Sequence, residues 1–144
     1  MTDKHARSLH ALLLCALLGA CADDAPEARI RAAIATLETA VEARSPGAAL
    51  ELLSADFSAD GGQLDRAGMR AFLAGQLLGA DRIEVVLGPI DVALHGERAT
   101  AQFSALVSGG RYLGDRNEAL QLRTGWRLED GEWRCYLAER VDLD

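Results

Sequence analysis

The spacing of apolar residues changes once along this chain of 144 residues, and that change restricts the fold more than any motif does. Up to about residue 80, apolar side chains recur three and four positions apart, the period of one helix face. From Arg82 onward they alternate, the period of a sheet with one buried side. Helices gathered first and strands gathered last point to an α+β layout, with the helices packed on one face of an antiparallel sheet.

Three helices are expected in the first part. Asp24 and Glu27 have capping-box spacing, and Pro26 sits in the first turn, where its missing N–H costs nothing. Ile30, Ile34, Leu37 and Val41 then share one face, so a first helix is predicted from about Ala25 to Arg44. Ser45-Pro46 restarts the chain as cap and N1 proline, and Leu50, Leu52 and Leu53 fill a short second helix. Ser54-Ala55-Asp56-Phe57 follows as a connection, and Asp60-Gly61-Gly62 makes a turn. Asp65 caps a third helix lined by Met69, Phe72, Leu73, Gln76 and Leu77, which ends near Gly79.

In the second part Ile83, Val85 and Leu87 share one parity, and Ile90, Val92 and Leu94 the other. The phase slips by one residue at Gly88-Pro89, which predicts a bulge or bend there. Gly96-Glu97 turns the chain into a strand carrying Ala99, Ala101, Phe103, Ala105 and Val107 inward. A glycine-rich loop from Gly109 to Asn117 holds Tyr112 and Leu113. The next strand turns Leu120, Leu122, Thr124, Trp126 and Leu128 inward. After Asp130-Gly131 the last one places Trp133, Cys135 and Leu137 inward, with Arg134, Tyr136 and Arg140 outward.

This order of elements resembles the nuclear transport factor 2-like superfamily, also called SnoaL-like or cystatin-like α+β. The likeness rests on Asp56-Phe57 after the short helix, and on the ending Thr124-Gly125-Trp126-Arg127 with Asp130-Gly131-Glu132-Trp133-Arg134. It implies three N-terminal helices on a curved antiparallel sheet of four or more strands, forming a cone with a pocket at its open end, over residues 26–142. Such a fold hosts isomerases, dehydratases, hydrolases and binding modules alike, so it implies no activity by itself.

A second resemblance concerns the start of the chain. Lys4 and Arg7 precede an uncharged stretch from Ala11 to Ala20, the ordered pattern of a secretory leader, and the stretch is too short to span a bilayer. Leu18-Gly19-Ala20-Cys21 resembles the lipobox of bacterial lipoproteins. This implies a signal peptide over residues 1–20, cleavage between Ala20 and Cys21, lipid on Cys21, and a tether over residues 21–25. Two or more acyl chains suffice to hold a protein at a membrane. Ala22 in place of Asp resembles the sorting signal to an outer membrane, with the domain facing the periplasm.

Charge narrows the partners. The leader contributes Asp3, Lys4 and Arg7, one net positive charge, so the whole-chain −7 becomes −8 once it is removed. A domain this acidic is poorly suited to nucleic acid or to anionic lipid, and membrane association is expected to come from the lipid. Cys15 leaves with the leader and Cys21 carries lipid, which leaves Cys135 without a partner for an intramolecular disulfide. No His or Cys cluster suggests a metal, and nothing calls for a cofactor.

The candidate pocket lining is Phe57, Phe72, Phe103, Thr124, Trp126, Trp133 and Cys135. These are packed core in one reading and a ligand box in the other. A steroid-isomerase-like site would need a tyrosine on the first helix, and Ile30–Val41 has none. Asp56 and Asp60 stand where a general base is placed in some enzymes of the resembled group. Their structural roles would be a helix-terminal hydrogen bond and a turn. His95 beside Gly96 reads as an exposed turn residue. Arg123, Arg127, Arg134 and Arg140 would form an outer face, either solvated or used for a partner or homodimer. The expected function is an envelope lipoprotein whose domain binds a small apolar ligand or a protein partner. The alternatives are an enzyme using Asp56 or Asp60, and a module that dimerises through its sheet.

Overall fold

Pro26 opens the first helix, α1 (Pro26–Glu42), in the computed structural model, which describes residues 25–109 and 117–141. The expected leader, Cys21 with its tether, Asp24 of the expected capping box, and Tyr112-Leu113 lie outside those residues. Ala25 holds the N-cap position without a side-chain bond, and α1 ends two residues before Arg44. Ser45 caps α2 (Pro46–Glu51), accepting a hydrogen bond from the Ala48 N–H, and Asp65 caps α3 (Arg66–Leu77) through the Gly68 N–H at 2.7 Å.

Leu53 does not belong to α2. It begins a strand, β1 (Leu53–Ala59), which lies parallel to the last strand of the chain. The segment holding Asp56 is therefore extended and not a helix end. A single 3-10 turn, Asp60–Gly62, and a two-residue strand, β2 (Leu64–Asp65), lead into α3. The remaining strands are β3 (Ile83–Leu87), β4 (Asp91–His95), β5 (Arg98–Gly109), β6 (Asn117–Glu129) and β7 (Glu132–Arg140). The order is β2-β1-β7-β6-β5-β3, with β4 also paired to β5, so the sheet has seven strands and is mixed where only antiparallel pairing was expected.

Two bulges set which side chains face the helices. Between β3 and β4, residues 88–90 oppose only Phe103 and Ser104 of β5, which is the one-residue slip foreseen at Gly88-Pro89. Val92 and Leu94 thereby stay on the side of Ala101 and Ala99. The second bulge lies in β7, where Trp126 pairs with Cys135 but Gly125 pairs with Leu137, leaving Tyr136 as the extra residue. Beyond it the parity of β7 reverses. Ala138 and Arg140 stand opposite the inward Thr124 and Leu122, while Leu137 and Glu139 stand opposite Gly125 and Arg123. The expectation that Leu137 faces in and Arg140 faces out is thus corrected by one unpaired residue.

The main core gathers Ile30 and Ile34 of α1, Leu50 of α2, Phe57 of β1 and the inner face of β5, β6 and β7. Trp126 is fully enclosed, and its indole N–H donates to Thr124 Oγ1 at 2.8 Å, whose hydroxyl donates on to the Ala101 carbonyl at 3.2 Å. A smaller cluster of Leu77, Ala80 and Ile83 packs with Val41 and Leu73 at the other end of α1. There Glu42 accepts from the Val85 N–H at 3.0 Å and Arg44 donates to the Ala80 carbonyl at 2.7 Å, fixing the helix end to β3.

Candidate functional site

A cavity of about 260 Å³ opens beside the smaller core cluster, between α3 and the inner face of the sheet. Its helical wall is Val41 from α1 with Phe72, Leu73, Gln76 and Leu77 from α3. Its sheet wall is Ile83, Val107 and Leu120, closed by Gly109 and edged by Glu118 and Arg140. Gly109 has φ +78°, and a Cβ there would come within 2.1 Å of the Arg82 carbonyl oxygen, so only glycine lets β5 end against β3 at this point.

Polar groups sit at the rim of an otherwise apolar chamber. Glu118 shares the parity of Leu120 and Leu122 on β6, which directs it inward, and the Tyr136 bulge brings Arg140 to the same face. Arg140 Nη1 donates to Glu118 Oε1 at 3.1 Å, and both side chains remain partly exposed. The alternation of β6 places Glu118 on the inner side, whereas nothing local in the sequence marks the bulge that turns Arg140.

Of the residues expected to line a pocket, Phe72 lines this cavity and is 46 % exposed. Phe57, Phe103, Thr124, Trp126, Trp133 and Cys135 are buried in the main core. Trp133 also walls a second hollow of about 290 Å³ with Arg29, Thr36 and Arg134, and its buried Nε1 has no hydrogen-bond partner among the described residues. Cys135 is enclosed, and burial pushes its thiol up to about 12, which keeps it protonated and unreactive near neutral pH.

The two aspartates stand apart from the cavity. Asp56 projects from β1 and takes a hydrogen bond from Arg127 Nη2 at 2.7 Å, which holds its carboxyl below the usual carboxylate range. Arg127 also meets Glu129 at 2.5 Å and lies 5.3 Å from the centre of the Tyr136 ring, with Arg98 5.5 Å from the same ring. The Tyr136 ring covers Gly125, where a Cβ would come within 2.8 Å of Cζ. Asp60 is exposed with φ +50° in its turn, and His95 is exposed at the β4–β5 hairpin. Of the four arginines expected together outside, Arg127 pairs with Asp56 and Glu129, Arg123 pairs with Glu139 at 3.5 Å, and Arg140 belongs to the cavity rim. Among the described residues no group of three or more His, Cys, Asp or Glu could hold a metal, and no helix is long and apolar enough to cross a membrane.

The arrangement matches solved structures of the nuclear transport factor 2-like, cystatin-like fold. One from Novosphingobium aromaticivorans, described as an NTF2-like protein with a cystatin-like fold, is 22% identical, with 100% of this chain and 93% of that one covered and a TM-score of 0.66. An NTF2-like protein from Cytophaga hutchinsonii is 14% identical over 83% of this chain and 99% of that one, with a TM-score of 0.69. A third, from Novosphingobium aromaticivorans and named "Putative Scytalone Dehydratase", is 15% identical over 82% and 84%, with a TM-score of 0.68. No protein-family model and no curated protein matches the chain. The domain has this α+β fold, with three helices on a mixed seven-stranded sheet.

Proposed function

We propose that this domain is a small-molecule binding module, carried on a membrane by lipid at Cys21, whose ligand occupies the chamber between α3 and the inner face of β3, β5 and β6. The observation that carries the reading is the chamber itself. About 260 Å³ of mainly apolar space, unfilled by side chains, lies beside the smaller packed cluster. Thermal denaturation of the domain in the presence of small aromatic and alicyclic compounds tests it. A rise in Tm is expected for compounds of one or two rings, and Val107→Trp, which fills the chamber, is expected to remove that rise. No shift across a broad panel overturns the reading.

The anchoring part of the proposal rests on the Leu18-Gly19-Ala20-Cys21 pattern. Intact mass of protein extracted from membranes is expected to show an acylated chain beginning at Cys21, and Cys21→Ser is expected to move the protein into the soluble fraction. Unmodified wild-type protein in the soluble fraction retires the anchor.

Two further readings each have one observation in their favour. An isomerase, dehydratase or hydrolase is favoured by the fold shared with the structure named as a dehydratase, although fold alone assigns no chemistry. The Asp56–Arg127 ion pair argues against Asp56 as its base, since a carboxylate held ionised by a guanidinium accepts a proton reluctantly. Self-association through the sheet is favoured by Val86 and Leu106, exposed partners across β3 and β5 on the face away from the helices.

A further inference from the structure

We infer that the ligand of this chamber is an uncharged molecule of one or two rings bearing a hydroxyl group, and that Glu118 and Arg140 read that group together. The inference rests on the binding reading above and narrows it to a chemical class.

Size sets the body of the ligand. An apolar cavity of about 150 Å³ holds one benzene, so a chamber of about 260 Å³ has room for a two-ring hydrocarbon frame. Its inner walls, Leu73, Leu77, Ile83, Val107 and Leu120, offer no polar partner. A polar group on the ligand is therefore drawn to the rim.

Charge sets the head group. The rim holds one carboxylate and one guanidinium, 3.1 Å apart, which neutralise each other. A guanidinium has five N–H donors and a carboxylate about four acceptor positions. Their mutual bond uses one of each, and among the described residues neither group has another hydrogen-bond partner. The rim thus presents donors beside acceptors with no net charge. A ligand carboxylate could take the remaining N–H groups of Arg140, but only by placing a second negative charge next to Glu118. A ligand ammonium meets the same obstacle at Arg140. A hydroxyl donates to Glu118 and accepts from Arg140 without either penalty, and Gln76 on α3 adds an amide at the same chamber.

The geometry depends on the chain as it stands. Arg140 reaches the inner face only because Tyr136 is unpaired in β7; with regular pairing Glu139 would stand there, and the rim would carry two carboxylates.

The test compares three probes of one shape, naphthalene, 2-naphthol and 2-naphthoate, binding to the domain at pH 7 and low salt, read by calorimetry. The wild type is expected to bind 2-naphthol about tenfold more tightly than naphthalene, the gain of a hydrogen bond to charged partners, and 2-naphthoate more weakly than naphthalene. Glu118→Gln removes the repelling charge and is expected to raise 2-naphthoate affinity at least tenfold. Arg140→Met is expected to bring 2-naphthol down to the level of naphthalene while leaving naphthalene itself bound, which shows that the chamber is intact. Binding of all three probes with equal affinity, or 2-naphthoate as the tightest on the wild type, overturns the head-group assignment and leaves the binding reading standing. Failure of every probe to bind overturns both.

Discussion

Cys135 and Asp56 stand on strands that pair, yet their surroundings push their acidities in opposite directions. Burial raises the Cys135 thiol to about 12, whereas the bond from Arg127 lowers the exposed Asp56 carboxyl. Linkage gives the sign for each. A thiol raised above its unfolded value of about 8.5 contributes stability that is complete below that pH and is lost as pH climbs towards 12. A carboxyl lowered from about 3.9 contributes above that pH and loses its contribution under acid conditions; at this exposed pair the contribution is also sensitive to salt. Urea midpoints of the soluble domain are therefore expected to fall between pH 8.5 and 11 more steeply for the wild type than for Cys135→Ala. An identical slope for both removes the buried thiol from the account. In the same protein, iodoacetamide is expected to leave Cys135 unmodified at pH 7 until the chain unfolds.

At the scale of elements, the end of β5 depends on a single glycine. Gly109→Ala combines a left-handed φ of +78° with a Cβ driven to 2.1 Å from the Arg82 carbonyl oxygen, and a loss of about 2 kcal/mol or more is expected by urea denaturation. Gly131, in the β6–β7 turn, has a similar φ of +81° with nothing near its missing Cβ. Gly131→Ala is expected to cost only the backbone part, about 1 kcal/mol. Equal losses would show that the contact with Arg82 is relieved by a small shift.

These elements differ in how clearly the chain announces them. α2, α3 and the first bulge were legible because Ser45, Asp65 and Gly88-Pro89 carry their own stereochemistry, with apolar residues on both sides to show the change of phase. β1 was not, because Ser54-Ala55-Asp56 has no alternation. Ser54 is buried by donating to the Cys135 carbonyl at 3.1 Å, and the pairing with β7 is irregular from Leu53 to Ser58. The bulge at Tyr136 was silent for a different reason. Leu137 and Ala138 are both apolar, so either parity reads as a plausible strand, and only pairing with β6 decides between them. The candidate chamber was accordingly half legible. Its helical side followed from the period of α3, whereas Arg140 at its rim depended on a register that local pattern does not encode.

For the molecule as a whole, the face away from the helices carries Val86, 63 % exposed, opposite Leu106, 42 % exposed, among strands that bear several paired ions. An exposed apolar pair near the β3 edge of such a face suits a two-fold contact with a second copy. Sedimentation of the soluble domain is expected to show a dimer that Val86→Asp converts to a monomer. A wild type that stays monomeric at the highest attainable concentration sinks the dimer.

The unpaired Tyr136 has a consequence that reaches beyond this chain. It acts on β7 as a frameshift acts on a reading frame: every side chain after it keeps its identity and changes its side. Pairing that residue with Gly125, with no bulge, would exchange Arg140 for Glu139 at the chamber mouth and turn a neutral entrance into a doubly negative one, without substituting any group that touches a ligand. Chains of this architecture can therefore diverge in what they admit according to whether one strand residue is paired or left out as a bulge, while their backbones continue to superpose.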